Sequence, residues 1–119
     1  MNKKICFDLD GVICSNTNGK YEKAEPYQDA IKKINELYEK GNYIIIYTAR
    51  FMTKYKKDIN KINSIGYDFT KKQLDNWGLR YNELILGKPD YDIFIDDKAY
   101  NYSDSWHVHI DNLVDDEKI

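Results

Sequence analysis

Apolar and polar positions follow distinct rhythms along the 119-residue chain. Residues 3 to 8 form a short, mostly apolar run ending at Asp8, which predicts a strand buried on both faces, as parallel sheets require. The polar, turn-rich NTNGKYEKAE that follows reads as a loop or small flap, within residues 11–25. From Tyr27 the period changes. Tyr27, Ile31, Ile34, Leu37 and Tyr38 recur at spacings of three and four, with Pro26 suited to the first position of a helix and Gly41 to its end. YIIIYT, residues 43 to 48, is β-branched and aromatic and follows that helix closely, so strand, helix and strand make a unit with a parallel pair.

Tyr55, Ile59, Ile62 and Ile65 keep helical spacing over residues 52 to 65, stopping at Gly66, and TKKQLDNWG reads as another short helix closed by Gly78. YDIFI at 91–95 predicts a third core strand, WHVHI at 106–110 a fourth, and residues 111–119 an acidic, loosely held tail. ELIL at 83–86 is strand-like too, yet only GKPDYD separates it from IFI, and a parallel crossover needs about a dozen residues. It is therefore an antiparallel excursion or lies outside the main parallel order. The alternation predicts an α/β fold with a mainly parallel sheet, and the length one domain over residues 1–119.

Composition narrows the function classes. The chain is 42% hydrophobic and 32% charged, with no run of about 20 apolar residues to span a membrane. Its MNKK opening lacks the apolar region of a secretory signal, so a cytoplasmic location is expected. Cys6 and Cys14 are too isolated for a disulfide framework or a zinc site, and reduced thiols are expected. A net charge of −2 and pI near 5.7 give no general attraction to nucleic acid, and KYKK at 54–57 and KK at 71–72 read as solvated helix faces.

Chemistry is expected at the carboxyl ends of the strands, where an open parallel α/β sheet delivers its loops. The first predicted strand ends in Asp8-Leu9-Asp10-Gly11, the second in Thr48-Ala49-Arg50 and the third in Asp96-Asp97-Lys98. The D-x-D spacing alone proves little, since Asp fills 14 positions and the pattern recurs at Asp90 and Asp92, before a strand and at the wrong edge. Two acid pairs at one edge repel each other unless they share a cation or a proton. Hard oxygen ligands favour Mg²⁺, which keeps several waters and takes up substrate phosphate. Lys88 can bring a positive charge to the same place. A carboxylate nucleophile, a second carboxyl for acid/base work, a hydroxyl, backbone amides, a lysine and Mg²⁺ together point to phosphoryl transfer through an aspartyl-phosphate.

Over residues 4 to about 100, FDLDG, the Thr of IIIYTAR, Lys88 of LGKP and Asp96-Asp97 of IDDKA resemble the four signature motifs of the haloacid dehalogenase (HAD) superfamily of phosphatases. DGVICSNTNGKYEKAEP, YTAR and GKPDYDIFIDDKA are similar to its small capsule-biosynthesis phosphatases. The resemblance implies a Rossmann-like three-layer α/β/α fold. It makes Asp8 the nucleophile and Asp10 the general acid and base, with Thr48 bound to phosphoryl oxygens and Lys88 neutralising them. For Mg²⁺ it implies Asp8, the backbone carbonyl of Asp10, and Asp96 or Asp97, the second directly and the first through water. The substrate it implies is a sugar phosphate of capsular or surface polysaccharide synthesis. Phosphorylated nucleic-acid ends, a phosphoprotein, and a scaffold role without catalysis are the alternatives.

Residues 11–25 leave room only for a flap, so the resemblance is to the capless subgroup, whose open site implies a bulky substrate or a neighbouring subunit as lid, hence a homo-oligomer. Gly11, Ala49 and Arg50 beside the strand ends, and Tyr21 and Glu22 on the flap, are the candidate substrate contacts. An arginine there serves equally as a structural clamp on a carboxylate. His107 and His109 alternate onto one strand face without a third ligand and read as packing or solvent contacts, Trp77 and Trp106 as core or interface, and Cys6 as a small buried side chain.

Overall fold

The computed structural model describes residues 2–114. Its elements are β1 (Lys4–Phe7), a 3₁₀ turn (Tyr21–Lys23), α1 (Gln28–Glu39), β2 (Tyr43–Thr48), α2 (Ile59–Lys61), a π turn (Ile62–Gly66), α3 (Tyr67–Asn76), β3 (Glu83–Leu86), α4 (Trp106–His109) and α5 (Asp111–Val114). The three strands form one parallel sheet in the order β1-β2-β3, with Phe7 opposite Ile46 and Thr48 opposite Leu86. The α/β class and the parallel β1-α1-β2 unit are therefore as the sequence predicts. Among the described residues no helix is long and apolar enough to cross a membrane.

β2 alternates: Ile44, Ile46 and Thr48 are buried while Tyr43, Ile45 and Tyr47 are half-buried. Phe7, Leu84 and Leu86 extend the buried face. Phe7 packs on Trp106 with ring centroids 5.3 Å apart, and α1 supplies Ile31, Ile34 and Leu37 to the same core. The opposite face is more open, with Cys6 and Ile85 exposed. β1 is thus not buried on both faces, and Cys6 is not a core side chain.

ELIL is β3, a full parallel member of the sheet, neither an antiparallel excursion nor an outlier. Residues 49–82, with their helices, supply the crossover that parallel pairing needs. The same length rule then keeps 91–95 out of the sheet, since the few residues after β3 cannot return the chain for another parallel strand. That segment is an exposed loop in which Ile93 is 80% and Ile95 92% accessible. WHVHI is helical rather than a strand, and residues two apart on a helix do not share a face, which separates His107 from His109.

Gly66 does not end a helix; the chain runs helically from Ile59 through the π turn to Asn76, and closes at Gly78, whose φ is +74°. Gly66 is needed for space, because a Cβ there would stand 2.8 Å from the Phe51 ring and 3.2 Å from Leu86. KYKK lies in an exposed turn, not on a helix face. Pro26 precedes the helix start by two residues, whereas Gly41, at φ +95°, follows α1 as expected. Residues 111–114 pack rather than trail: Val114 is buried and Lys33 Nζ lies 3.0 Å from Asp111 Oδ2. Residues 115–119 of the predicted tail fall outside the described residues.

Candidate active site

Because the three strands are parallel, their carboxyl ends share one edge. Asp8 follows β1, Thr48 closes β2, and Lys88 stands two residues after β3. The Lys88 backbone N–H donates to the Thr48 carbonyl at 3.2 Å, tying the two ends together. Lys88 Nζ then lies 3.6 Å from Asp8 Oδ1. Its ammonium also stands over the rings of Tyr91, Phe94 and Tyr47, at 5.3, 5.5 and 5.9 Å. Two aromatic residues of the predicted 91–95 strand thus serve as part of a cage for Lys88.

Asp8 and Lys88 respond differently to this setting. Burial pushes the Asp8 carboxyl above its usual value, and Lys88 and the Leu9 N–H, which donates to Oδ1 at 2.9 Å, offset this only in part. Burial opposes the charge on Lys88 as well, but the Tyr91 hydroxyl and Asp8 outweigh it, so its pKa is raised. The two shifts have opposite meaning for the ion pair. At 3.6 Å the pair is too loose to compensate the buried carboxylate fully, whereas the Tyr91 hydroxyl and Asp8 together outweigh burial at the lysine.

Asp10 is held more tightly. Arg50 Nε donates to its two oxygens at 3.2 and 2.9 Å, and Nη2 to Oδ1 at 2.9 Å. Arg50 itself is 1% exposed, so it is a carboxylate clamp and not a side chain presented to substrate. Its Nη1 donates to Gln73 Oε1 at 2.7 Å, and its guanidinium lies 4.7 Å from the centre of the Tyr21 ring. Tyr21 is half-buried beneath it, its hydroxyl accepting from the Phe51 N–H at 3.3 Å, and so supports the clamp from the flap. Cys14 donates from Sγ to Asp10 Oδ1 at 3.4 Å; burial, then the nearby Asp10, push its thiol up to about 12, so it remains protonated.

The remaining predicted residues divide. Thr48 is buried, its Oγ1 accepting from the Arg50 N–H at 3.1 Å, which shapes the turn carrying Ala49. Gly11 has φ +89°, a left-handed turn in which its N–H donates to the Cys14 carbonyl. Residues 11–14 are packed inward, with Ile13 and Cys14 fully buried; Glu22 is exposed. Asp96 and Asp97 lie on an exposed loop, where the Lys98 N–H, then Asp97, hold the Asp96 carboxyl below its usual range. Among the described residues no three His, Cys, Asp or Glu side chains gather as a metal-binding group. The acids of the two motifs still act on common ground: burial pushes the Cys6 thiol up, Lys88 offsets part of this, and both Asp8 and Asp96 add to it.

Gln73 and Phe51 escape sequence reasoning. Gln73 is one polar position on an amphipathic helix, and nothing local marks it as the partner of an arginine 23 residues earlier. Phe51 adopts φ +69°, unusual for a bulky residue, and is locked there by the rings of Tyr21, Tyr55 and Phe69.

No family model matches the chain, and no curated protein does. It is similar to a crystal structure of an MCSG target from Vibrio cholerae, with 30% sequence identity and a TM-score of 0.80, over 98% of this chain and 99% of that one. The chain belongs to the same family as that protein, whose description names no activity.

Proposed function

We propose that this protein is a HAD-type phosphatase of the capless subgroup, with the Rossmann-like three-layer architecture of that superfamily, that hydrolyses a phosphomonoester through an aspartyl-phosphate. The observation that carries the reading is the meeting of Asp8, Asp10, Thr48 and Lys88 at one edge of a parallel sheet, with Lys88 Nζ 3.6 Å from Asp8 and Asp10 fixed by Arg50. In this mechanism Asp8 attacks phosphorus while Asp10 gives a proton to the departing alkoxide. Water then attacks the phosphorus of the aspartyl-phosphate, Asp10 takes up the water's proton, and Asp8 is released as a carboxylate. Lys88 neutralises the phosphoryl oxygens, and Thr48 shapes the turn that receives them.

Mg²⁺ belongs to the proposal through the sequence resemblance. Asp8 and one of Asp96 and Asp97 would hold it, and when bound it would neutralise charge on the phosphoryl group. Among the described residues no three such side chains form a cage. The reading further takes the substrate to be a sugar phosphate of capsular or surface polysaccharide synthesis, the location to be cytoplasmic, and a second copy of the chain to serve as lid.

The test is phosphate release, with and without Mg²⁺, from sugar phosphates, nucleotides, a phosphopeptide and a phosphorylated oligonucleotide, using Asp8→Asn as control. Metal-dependent release from a sugar phosphate is expected, with the control reduced about a thousandfold, or about 4 kcal/mol of transition-state stabilisation. Release from the oligonucleotide or peptide alone would transfer the proposal to that substrate. Silence on the whole panel would favour a scaffold role.

A further inference from the structure

A buried arginine that meets a carboxylate gains little stability, because desolvating both charges offsets most of their attraction. What such a pair does supply is geometry. Arg50 engages both oxygens of Asp10, fixing the plane of the carboxyl group, but a guanidinium can tilt unless its far side is also held. Gln73 holds that far side. Its Oε1 accepts from Arg50 Nη1 at 2.7 Å while its Nε2 donates to the Tyr21 carbonyl at 2.8 Å, so α3, the turn after β2 and the 11–25 loop are joined through one amide. The Tyr21 ring closes the face of the guanidinium. Gln73 is half-buried, and its amide reaches Asp10 only through Arg50.

We propose that Gln73 is a positioning residue: by anchoring Arg50 it sets the orientation of the Asp10 carboxyl, and so controls proton delivery to the leaving group. The inference rests on the phosphatase reading. Proton delivery matters most when the departing oxygen is a poor leaving group and least when it departs unaided, so a loss of orientation has a chemical signature that a loss of fold lacks.

The experiment compares kcat/KM for glycerol phosphate, an alkyl ester, and p-nitrophenyl phosphate, an activated one, in the unaltered chain, in Gln73→Met, which removes both hydrogen bonds at similar volume, and in Gln73→Glu, which retains an acceptor for Arg50. Gln73→Met is expected to lose about tenfold on the alkyl ester and less than about threefold on the aryl ester, with Gln73→Glu recovering much of the alkyl activity. Equal losses on the two esters, or none on either, would overturn the positioning role while leaving the phosphatase reading intact. Where the unaltered chain is silent on both esters, the same variants are compared on the substrate it does turn over, and silence on the whole panel above would overturn the phosphatase reading, and this inference with it.

Discussion

Two residues in the loops at the carboxyl edge carry costs that packing alone does not explain. Asp8 ionises against its burial, so its folded-state pKa lies above the ordinary value of 3.8. The folded chain then holds the proton more firmly than the unfolded one, and stability falls as pH rises from 3.8 through the raised folded value. Asp8→Asn removes this dependence. Its urea midpoint is expected to exceed that of the parent at pH 7 and to approach it at pH 3, whereas a variant that merely broke a stabilising ion pair would be the weaker of the two at neutral pH. Phe51, at φ +69°, stacks 5.4 Å from Tyr55 and meets Tyr21 at 4.8 Å. Phe51→Ala keeps the awkward backbone and loses the rings that hold it, so equilibrium unfolding should show a loss of about 3–5 kcal/mol. Asp8, Asp10 and Thr48 were legible because each sits at or just after the end of β1 or β2. For Arg50 a carboxylate clamp was one of two readings, and its partners were not legible, because Asp10 and Gln73 lie 40 and 23 residues away.

The crossover between β2 and β3 shows how an element obeys two rules at once. Gly66 reads locally as a stop, yet the helix continues through it by widening into a π turn, because the absent side chain lets α2 and α3 approach Phe51 and Leu86. Gly66→Ala should raise helix propensity by about 1 kcal/mol but force a methyl to within 2.8 Å of the Phe51 ring. Overpacking is the larger effect, and a net loss of about 1–2 kcal/mol in thermal or urea unfolding is expected. The helical periods of Ile31, Ile34 and Leu37 and the strand 43–48 were readable because each buries a face set by its own period. YDIFI was misread because apolar composition signals burial without stating where the chain can reach. With ELIL already in the sheet, too few residues remain for another parallel crossover. Hydrogen exchange should accordingly show protected amides in β1–β3 and none across 92–95.

At the scale of the molecule, core and candidate site are built from different materials. The sheet and helices close around Phe7, Ile34, Ile44, Ile46, Ile62 and Leu74, and none of these contacts involves a cation. Chelation of Mg²⁺ is therefore expected to abolish phosphate release while leaving the far-ultraviolet circular dichroism and the unfolding midpoint nearly unchanged. A cooperative loss of structure on chelation would show instead that metal and fold are coupled. From its amino acids alone the chain determines an α/β class, a parallel β1-α1-β2 unit and which polar groups follow the first two strands, because hydrophobic period and residue type act locally. Only the tertiary structure decides that ELIL pairs with β2, that Arg50 is withdrawn from solvent to grip Asp10, that Lys88 faces Asp8 and that Asp96 and Asp97 lie on an exposed loop. These depend on loop reach and on which distant side chains share the space beyond the strand ends, neither of which any short window of sequence encodes.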